Sequence, residues 1–159
     1  MEAFLKYTIQ QNLWDTMVSE LKVRGQGYRE SGAFLLAKRD NNVISEFVCY
    51  DDLDPDALSN WAISFSAAGF IKLWDYAATH NFQVVADIHT HPGSIVKQSF
   101  IDKRNPMVSL RGHIALILPD FAIYNPQDLT GVGIYEYQGN LKWRTCKRNE
   151  RIVISKNTI

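Results

Sequence analysis

Apolar side chains recur every three to four positions in residues 9–23 and again in residues 66–80. That period places them on one face of a helix, so each segment is predicted to be an amphipathic helix. The first helix should end near Gly25 and Gly27, because glycine commonly follows the last helical turn. The apolar face of the second helix is predicted to comprise Phe70, Leu73, Trp74 and Ala77.

Short apolar runs separated by Gly, Pro and Asn predict strands elsewhere. The runs GAFLLAKR and VISEFVCY flank the turn at residues 40–42 and predict a β-hairpin, and the later runs are FQVVADIH, HIALILP, FAIYN, GVGIYEY and LKWRTC. Between hairpin and second helix lies an irregular acidic segment, YDDLDPDALSNWAISFS, interpreted as a surface segment with a binding role. The pattern predicts one α/β domain spanning residues 1–159, with a central mixed β-sheet flanked by helices.

Composition narrows the function classes. Seventeen basic and seventeen acidic residues give a net charge of zero, which disfavours non-specific electrostatic binding of nucleic acid. No apolar run approaches the ~20 residues of a membrane span, and the N-terminus lacks a secretory-signal pattern. Cys49 and Cys146 are far apart and are interpreted as buried thiols in a reducing compartment. We therefore expect a cytoplasmic protein with neither nucleic acid nor membrane as a partner.

Candidate chemistry is concentrated in the segment His89-Thr-His91-Pro92, followed after six intervening residues by Ser99-x-x-Asp102. Residues i and i+2 of an extended chain point the same way, so His89 and His91 can converge on one point. Ser99 and Asp102 share a face of a helical turn, although SxxD alone is also typical of a helix capping box. Two histidines and a carboxylate form the open three-ligand set of a catalytic zinc.

Zinc hydrolysis also needs a general base, and the sequence has no HExxH motif to supply one. Glu30 is the leading candidate because it directly precedes an apolar strand. Gly32 in that strand would permit close backbone approach. Glu46 and Glu20 remain competing candidates.

Glu30 before a Gly-containing strand, with His89-x-His91-Pro92-x6-Ser99-x2-Asp102, resembles the JAMM (JAB/MPN-type) metalloprotease signature. The similarity is greatest to short prokaryotic JAB proteins, including deconjugating peptidases of bacterial CBASS antiphage operons. It extends from the first helix through HIALILP and weakens after about residue 125. The resemblance implies a cytidine-deaminase-like α/β fold and one zinc per chain.

By the same resemblance, His89, His91 and Asp102 look like zinc ligands, and Glu30 looks like the base that deprotonates the attacking water. Ser99 looks like the hydrogen-bond donor to the oxyanion. The implied reaction is isopeptidase or peptidase cleavage after the C-terminal tail of a ubiquitin-like modifier or a conjugated protein. Implied partners include ubiquitin-activating and ubiquitin-conjugating enzyme-like proteins and a nucleotidyltransferase.

Two other functions stay open: a non-catalytic MPN scaffold, and a JAB peptidase that acts on another amide, such as cell-wall peptide. A deaminase is disfavoured because the sequence lacks HxE and PCxxC. Trp61, in the acidic segment, is a candidate apolar contact for substrate. Asp87 shares a strand face with His89 and could orient that ligand, but a solvated carboxylate at the sheet edge is favoured; His113 is interpreted as structural.

Overall fold

The computed structural model describes residues 5–59 and 62–156. Within these ranges, eight strands form one mixed sheet flanked by four helices, which confirms the predicted α/β architecture. The strands are β1 (Tyr7–Gln10), β2 (Gly32–Lys38), β3 (Val43–Cys49), β4 (Phe82–Thr90), β5 (Ile114–Leu118), β6 (Gly133–Gly139), β7 (Lys142–Thr145) and β8 (Ile152–Ser155). The helices are α1 (Gln11–Gly25), α2 (Tyr50–Leu53), α3 (Ala67–Thr79) and α4 (Phe100–Arg104).

The strand order is β7-β6-β5-β4-β2-β3-β1-β8, which places β4 near the middle of the sheet. β4 pairs antiparallel with β2 and parallel with β5. In the β2–β4 register Gly32 lies opposite His89. Because Glu30 precedes Gly32 by two residues, this pairing brings the start of β2 beside the end of β4.

Both faces of the sheet are covered, and β2 shows why. Its side chains alternate between the faces, so Ala33 and Leu35 join one core while Phe34 and Leu36 join the other. The first core packs against α1, and the second packs against α2 and α3. Burial on both faces explains why the run AFLLA is apolar throughout rather than alternating.

The hairpin, both long helices and the strand containing FQVVADIH are confirmed. Ile9, however, lies in β1, and α1 begins at Gln11. β1 and β8 were not predicted, and FAIYN is not a strand. Instead a short 3-10 turn (Asp120–Ala122) occupies its start, with left-handed backbone at Phe121 (φ 53°).

Two predictions about burial are wrong. On α3, Leu73 and Ala77 are buried as expected, but Trp74 is 41% exposed. The acidic segment is only partly at the surface. It begins with α2, and its apolar residues Tyr50, Leu53, Ala57 and Leu58 are buried in the second core.

Cys49 and Cys146 are buried and unbridged, as the interpretation as free thiols requires. In the described part of the chain, no helix combines the length and the hydropathy needed to cross a membrane.

Candidate metal centre

Three side chains converge where β4 ends. His89 is the second-last residue of β4, His91 directly follows the strand, and Asp102 lies on α4. The two histidines are each 9% exposed, and Asp102 is half-buried. Their potential ligand atoms all lie within 4.8 Å of one another.

The spacing of these atoms fits a tetrahedral metal. His89 Nε2 is 3.2 Å from His91 Nε2, and the two nitrogens lie 3.3 and 3.1 Å from the nearest oxygens of Asp102. Ligands about 2.0–2.1 Å from a tetrahedral zinc are separated from one another by about 3.3 Å. Each separation is close to this value, with Asp102 Oδ1 nearest His89 and Oδ2 nearest His91. A zinc ion bound by both imidazoles and one carboxylate oxygen would keep a fourth position for water or substrate.

Backbone contacts orient two of the three groups. His91 Nδ1 is 3.0 Å from the carbonyl oxygen of Ile95, so its ring can donate there and keep the Nε2 lone pair toward the cluster. The backbone N–H of Ser99 donates to Asp102 Oδ2 at 2.8 Å. The loop between the histidines and α4 thus fixes both the imidazole and the carboxylate.

The same contacts set the pKa values of the cluster. Burial alone would raise the pKa of Asp102, but hydrogen bonds to His89 and His91 outweigh it and hold this pKa far below its usual range. Burial opposes protonation of His91, yet its hydrogen bonds to Asp102 and to the Ile95 carbonyl raise its pKa. An ionised carboxylate is the form that a metal requires.

Glu30 lies near the cluster, two residues before β2 begins. It lines one cavity together with His89 and Asp102. Burial raises the pKa of Glu30, and the nearby imidazoles His89 and His91 partly offset this effect. In residues 5–59 and 62–156 no Lys, Arg or His forms an ion pair with Glu30. A raised pKa and a free carboxylate suit a proton acceptor.

The two competing bases are engaged elsewhere. Glu20 pairs with Arg24 on α1, and Glu46 accepts a hydrogen bond from Tyr76. Neither lines the cavity that contains His89 and Asp102. Of the three candidates, the structure places only Glu30 beside the cluster.

Ser99 forms the capping box that its spacing predicted. Its hydroxyl oxygen accepts the Asp102 N–H at 3.0 Å, while its own N–H donates to the Asp102 carboxylate. Ser99 also lines the cavity. Since both bonds leave the hydroxyl proton unused, the cap and a donor role in the cavity are compatible.

The cavity has a volume of about 750 Å³, and its walls are largely apolar. Residues 62–65, at the end of the acidic segment, form part of one wall, together with Phe70 of α3. Residues 104–107, at and just after the end of α4, form another part. Trp61, the predicted substrate contact, lies outside the described residues.

One buried polar group lies in the cavity floor and was misjudged from the sequence. Asp87 is 3% exposed, so it is not a solvated edge carboxylate. It accepts hydrogen bonds from His113 Nε2 at 2.7 Å and from the Tyr50 hydroxyl at 3.2 Å. Asp87 therefore links β4 to β5 and α2, and the bonds it makes orient His113 and Tyr50 rather than His89. His113 is buried.

Comparison with solved structures identifies the fold. A protein from Desulfitobacterium hafniense superposes with a TM-score of 0.63 at 15% identity, covering 95% of this chain and 94% of that one. A JAB1/MPN domain protein from Archaeoglobus fulgidus superposes with a TM-score of 0.51 at 15% identity, covering 93% and 98%. A protein from Salinibacter ruber gives 0.57 at 15% identity, covering 93% and 91%.

No known family model matches the sequence. The structural likeness nevertheless extends over nearly the whole chain in each case. The chain therefore has the fold of a JAB1/MPN domain, with a His-His-Asp cluster compatible with zinc at the end of its central strand.

Proposed function

We propose that this chain is a zinc-dependent hydrolase of amide bonds, with His89, His91 and Asp102 as metal ligands and Glu30 as general base. The observation that supports this most strongly is the convergence of two imidazole nitrogens and the Asp102 carboxylate at separations of 3.1–3.3 Å, with Glu30 in the same cavity as His89 and Asp102. A non-catalytic scaffold would have no need for both an open ligand set and a half-buried carboxylate that has no ion-pair partner in the described part of the chain.

The chemistry follows from the cavity's own groups. Zinc bound there would act as a Lewis acid, lowering the pKa of water and polarising the scissile carbonyl. Glu30 would take the proton of the attacking water and return it to the leaving amine. The Ser99 hydroxyl would donate to the carbonyl oxygen as negative charge develops on it.

The substrate class comes from the resemblance to JAMM peptidases. We propose cleavage after the C-terminal tail of a ubiquitin-like modifier or of a conjugated protein, releasing either a lysine side chain or a backbone amine. A nucleotidyltransferase conjugated in a CBASS-type system is the specific target that this resemblance favours. An open cavity with walls from two loops suits an extended tail better than a folded surface.

The test is hydrolysis of a tailed isopeptide by the purified chain. Activity should be present with zinc, lost after chelation and restored by added zinc, because the ligands lie ready in the fold. Glu30→Gln should abolish turnover while the fold and bound zinc remain. Asp75→Asn, at an exposed position of α3, is the matched carboxylate control. Zinc-loaded protein without turnover on any tailed amide would favour the scaffold; full turnover in Glu30→Gln would assign the base elsewhere.

A further inference from the structure

A second groove adjoins the metal cavity. It has a volume of about 500 Å³ and lies between the loop before α4, α4 itself and the edge strand β7. Lys97, Lys103, Tyr135 and Thr145 line it, and we call it the lysine groove. Trp143 borders both spaces, so a chain that leaves the metal cavity past this residue enters the lysine groove.

The walls of the lysine groove are fixed by hydrogen bonds that do not involve the lysine ammonium groups. The Tyr135 hydroxyl donates to the carbonyl oxygen of Val96 at 2.8 Å, which ties the loop to β6. The Trp143 indole N–H donates to the carbonyl oxygen of Lys103 at 3.0 Å, which ties α4 to β7. The groove is therefore preformed, and binding there need not first order its walls.

The charge of the groove has one sign. Lys97 and Lys103 are exposed, and in the described part of the chain neither forms an ion pair. Arg104, which lines the neighbouring cavity, stacks on Phe100 at 5.2 Å and also has no described carboxylate partner. The nearest acidic residue along the chain, Asp102, is bound to His89 and His91. A chain with zero net charge thus presents a local cluster of three cations beside its candidate active site.

We infer that the lysine groove binds an acidic stretch of the substrate that flanks the scissile amide, an inference that rests on the proposed function. Lys103 follows the ligand Asp102 directly, and an extended peptide advances about 3.3 Å per residue. The acidic side chains should then lie close to the scissile bond, on the part of the substrate that passes Trp143. A peptide is favoured over a nucleic acid because the groove opens into the cavity proposed to hold an amide, and charge complementarity there gives specificity.

The test uses two labelled isopeptides that differ only in three residues near the scissile bond, Glu in one and Gln in the other. Binding to zinc-loaded Glu30→Gln is measured by fluorescence anisotropy, so it does not depend on turnover. At low ionic strength the acidic peptide should bind about tenfold more tightly, and the difference should shrink as salt is added. The double variant Lys97→Glu/Lys103→Glu should remove or reverse the preference.

The matched control is Lys22→Glu/Lys72→Glu, which makes the same charge change at exposed positions of α1 and α3. It should leave the preference intact. Equal affinity for the two peptides, or an equal effect of both double variants, would overturn the inference. So would a single-stranded oligonucleotide that binds as tightly as the acidic peptide. If the acidic peptide binds as expected but the wild-type chain cleaves neither peptide, the proposed function fails and the lysine groove stands.

Discussion

Ser99 shows how one small residue can hold a ligand and still face the substrate. Its backbone N–H and its hydroxyl oxygen are both used by Asp102, at 2.8 and 3.0 Å. The hydroxyl proton is used by neither bond. The same side chain can therefore cap α4 and donate to an oxygen in the cavity, so the two sequence interpretations describe different atoms of one residue.

Replacing Ser99 should separate these two roles. Ser99→Ala is expected to lower kcat by roughly 10²–10³ with a much smaller change in KM, because the donor acts on charge that develops in the transition state. The lost cap should cost only about 1 kcal/mol of the free energy of unfolding. Ser99→Thr keeps the hydroxyl and should retain most activity. An Ala variant with wild-type kcat would remove Ser99 from the reaction.

The hydrogen-bond partners of Asp87 could not be predicted from the sequence. Its position on the same strand face as His89 was visible in the sequence, but its partners, His113 and Tyr50, lie 26 and 37 residues away. Only the tertiary fold brings these groups together. The metal-ligand candidates were easier to predict from the sequence, because His89, His91 and Asp102 lie within fourteen residues. Their spacing alone indicates that the three side chains can converge on one metal ion.

At the scale of elements, the close approach of β2, β4 and α2 positions the base opposite the ligands. Gly32 lies opposite His89 in the register, and a Cβ at Gly32 would lie 2.7 Å from the carbonyl oxygen of Ile88 and would overlap the ring of Tyr50. The carbonyl belongs to the backbone and Tyr50 is fully buried, so neither can yield easily. These contacts leave no room for a Cβ, so glycine is required at this position.

Gly32→Ala should therefore destabilise the fold by about 1–3 kcal/mol, the usual cost of overpacking a core. Urea unfolding measures this change. The control is Gly93→Ala, in the loop after His91, where an added Cβ would meet no atom within 4 Å. Equal free energies of unfolding for the two variants would mean that β2 and β4 can separate without cost.

The helices and strands were predicted correctly where the local sequence pattern determines the structure. They were not predicted where the structure depends on contacts with distant parts of the chain. The helical periodicity and the Asx-rich turn gave α1, α3 and the β2–β3 hairpin. β1 and β8 are four-residue strands that pair with each other and so depend on contacts between the two ends of the chain. FAIYN has strand composition, but its chain turns where residues 120–122 adopt positive φ. Neither the β1–β8 pairing nor this turn is indicated by the residues around it in the sequence.

At the scale of the whole molecule, the sheet curves so that its far edges are linked. Arg151 precedes β8, at one end of the strand order, yet it forms an ion pair with Glu136 of β6, near the other end. Arg144 of β7 also pairs with Glu136, at 2.9 Å. Glu136 is 2% exposed, so this bridge lies inside the fold.

This bridge predicts acid sensitivity. Burial raises the pKa of Glu136, but hydrogen bonds from Arg144, Gln138 and Arg151 outweigh burial and hold it below the ordinary value of 4.5. A lowered pKa in the folded state contributes stability that is present above about pH 4.5 and is lost as the pH falls below it. Urea unfolding between pH 7 and pH 3.5 should show this loss.

Glu136→Gln should be less stable at pH 7 and should lose less stability on acidification than the wild-type chain. Glu150→Gln is a useful comparison, because Glu150 pairs with Arg144 at a more exposed position. If the free energy of unfolding changed with pH in the same way for wild type and Glu136→Gln, the ion pairs of Glu136 would make no contribution to stability.

The central claim is that His89, His91 and Asp102 form one zinc site, and metal content tests it most directly. Elemental analysis of chain loaded with excess zinc and then freed of unbound metal by dialysis should find close to one zinc per chain, in the wild type and in Glu30→Gln alike. The double variant His89→Ala/Asp102→Ala should lose nearly all of it while keeping its circular dichroism spectrum. Stoichiometric zinc in the double variant, or none in the folded wild-type chain, would contradict the account.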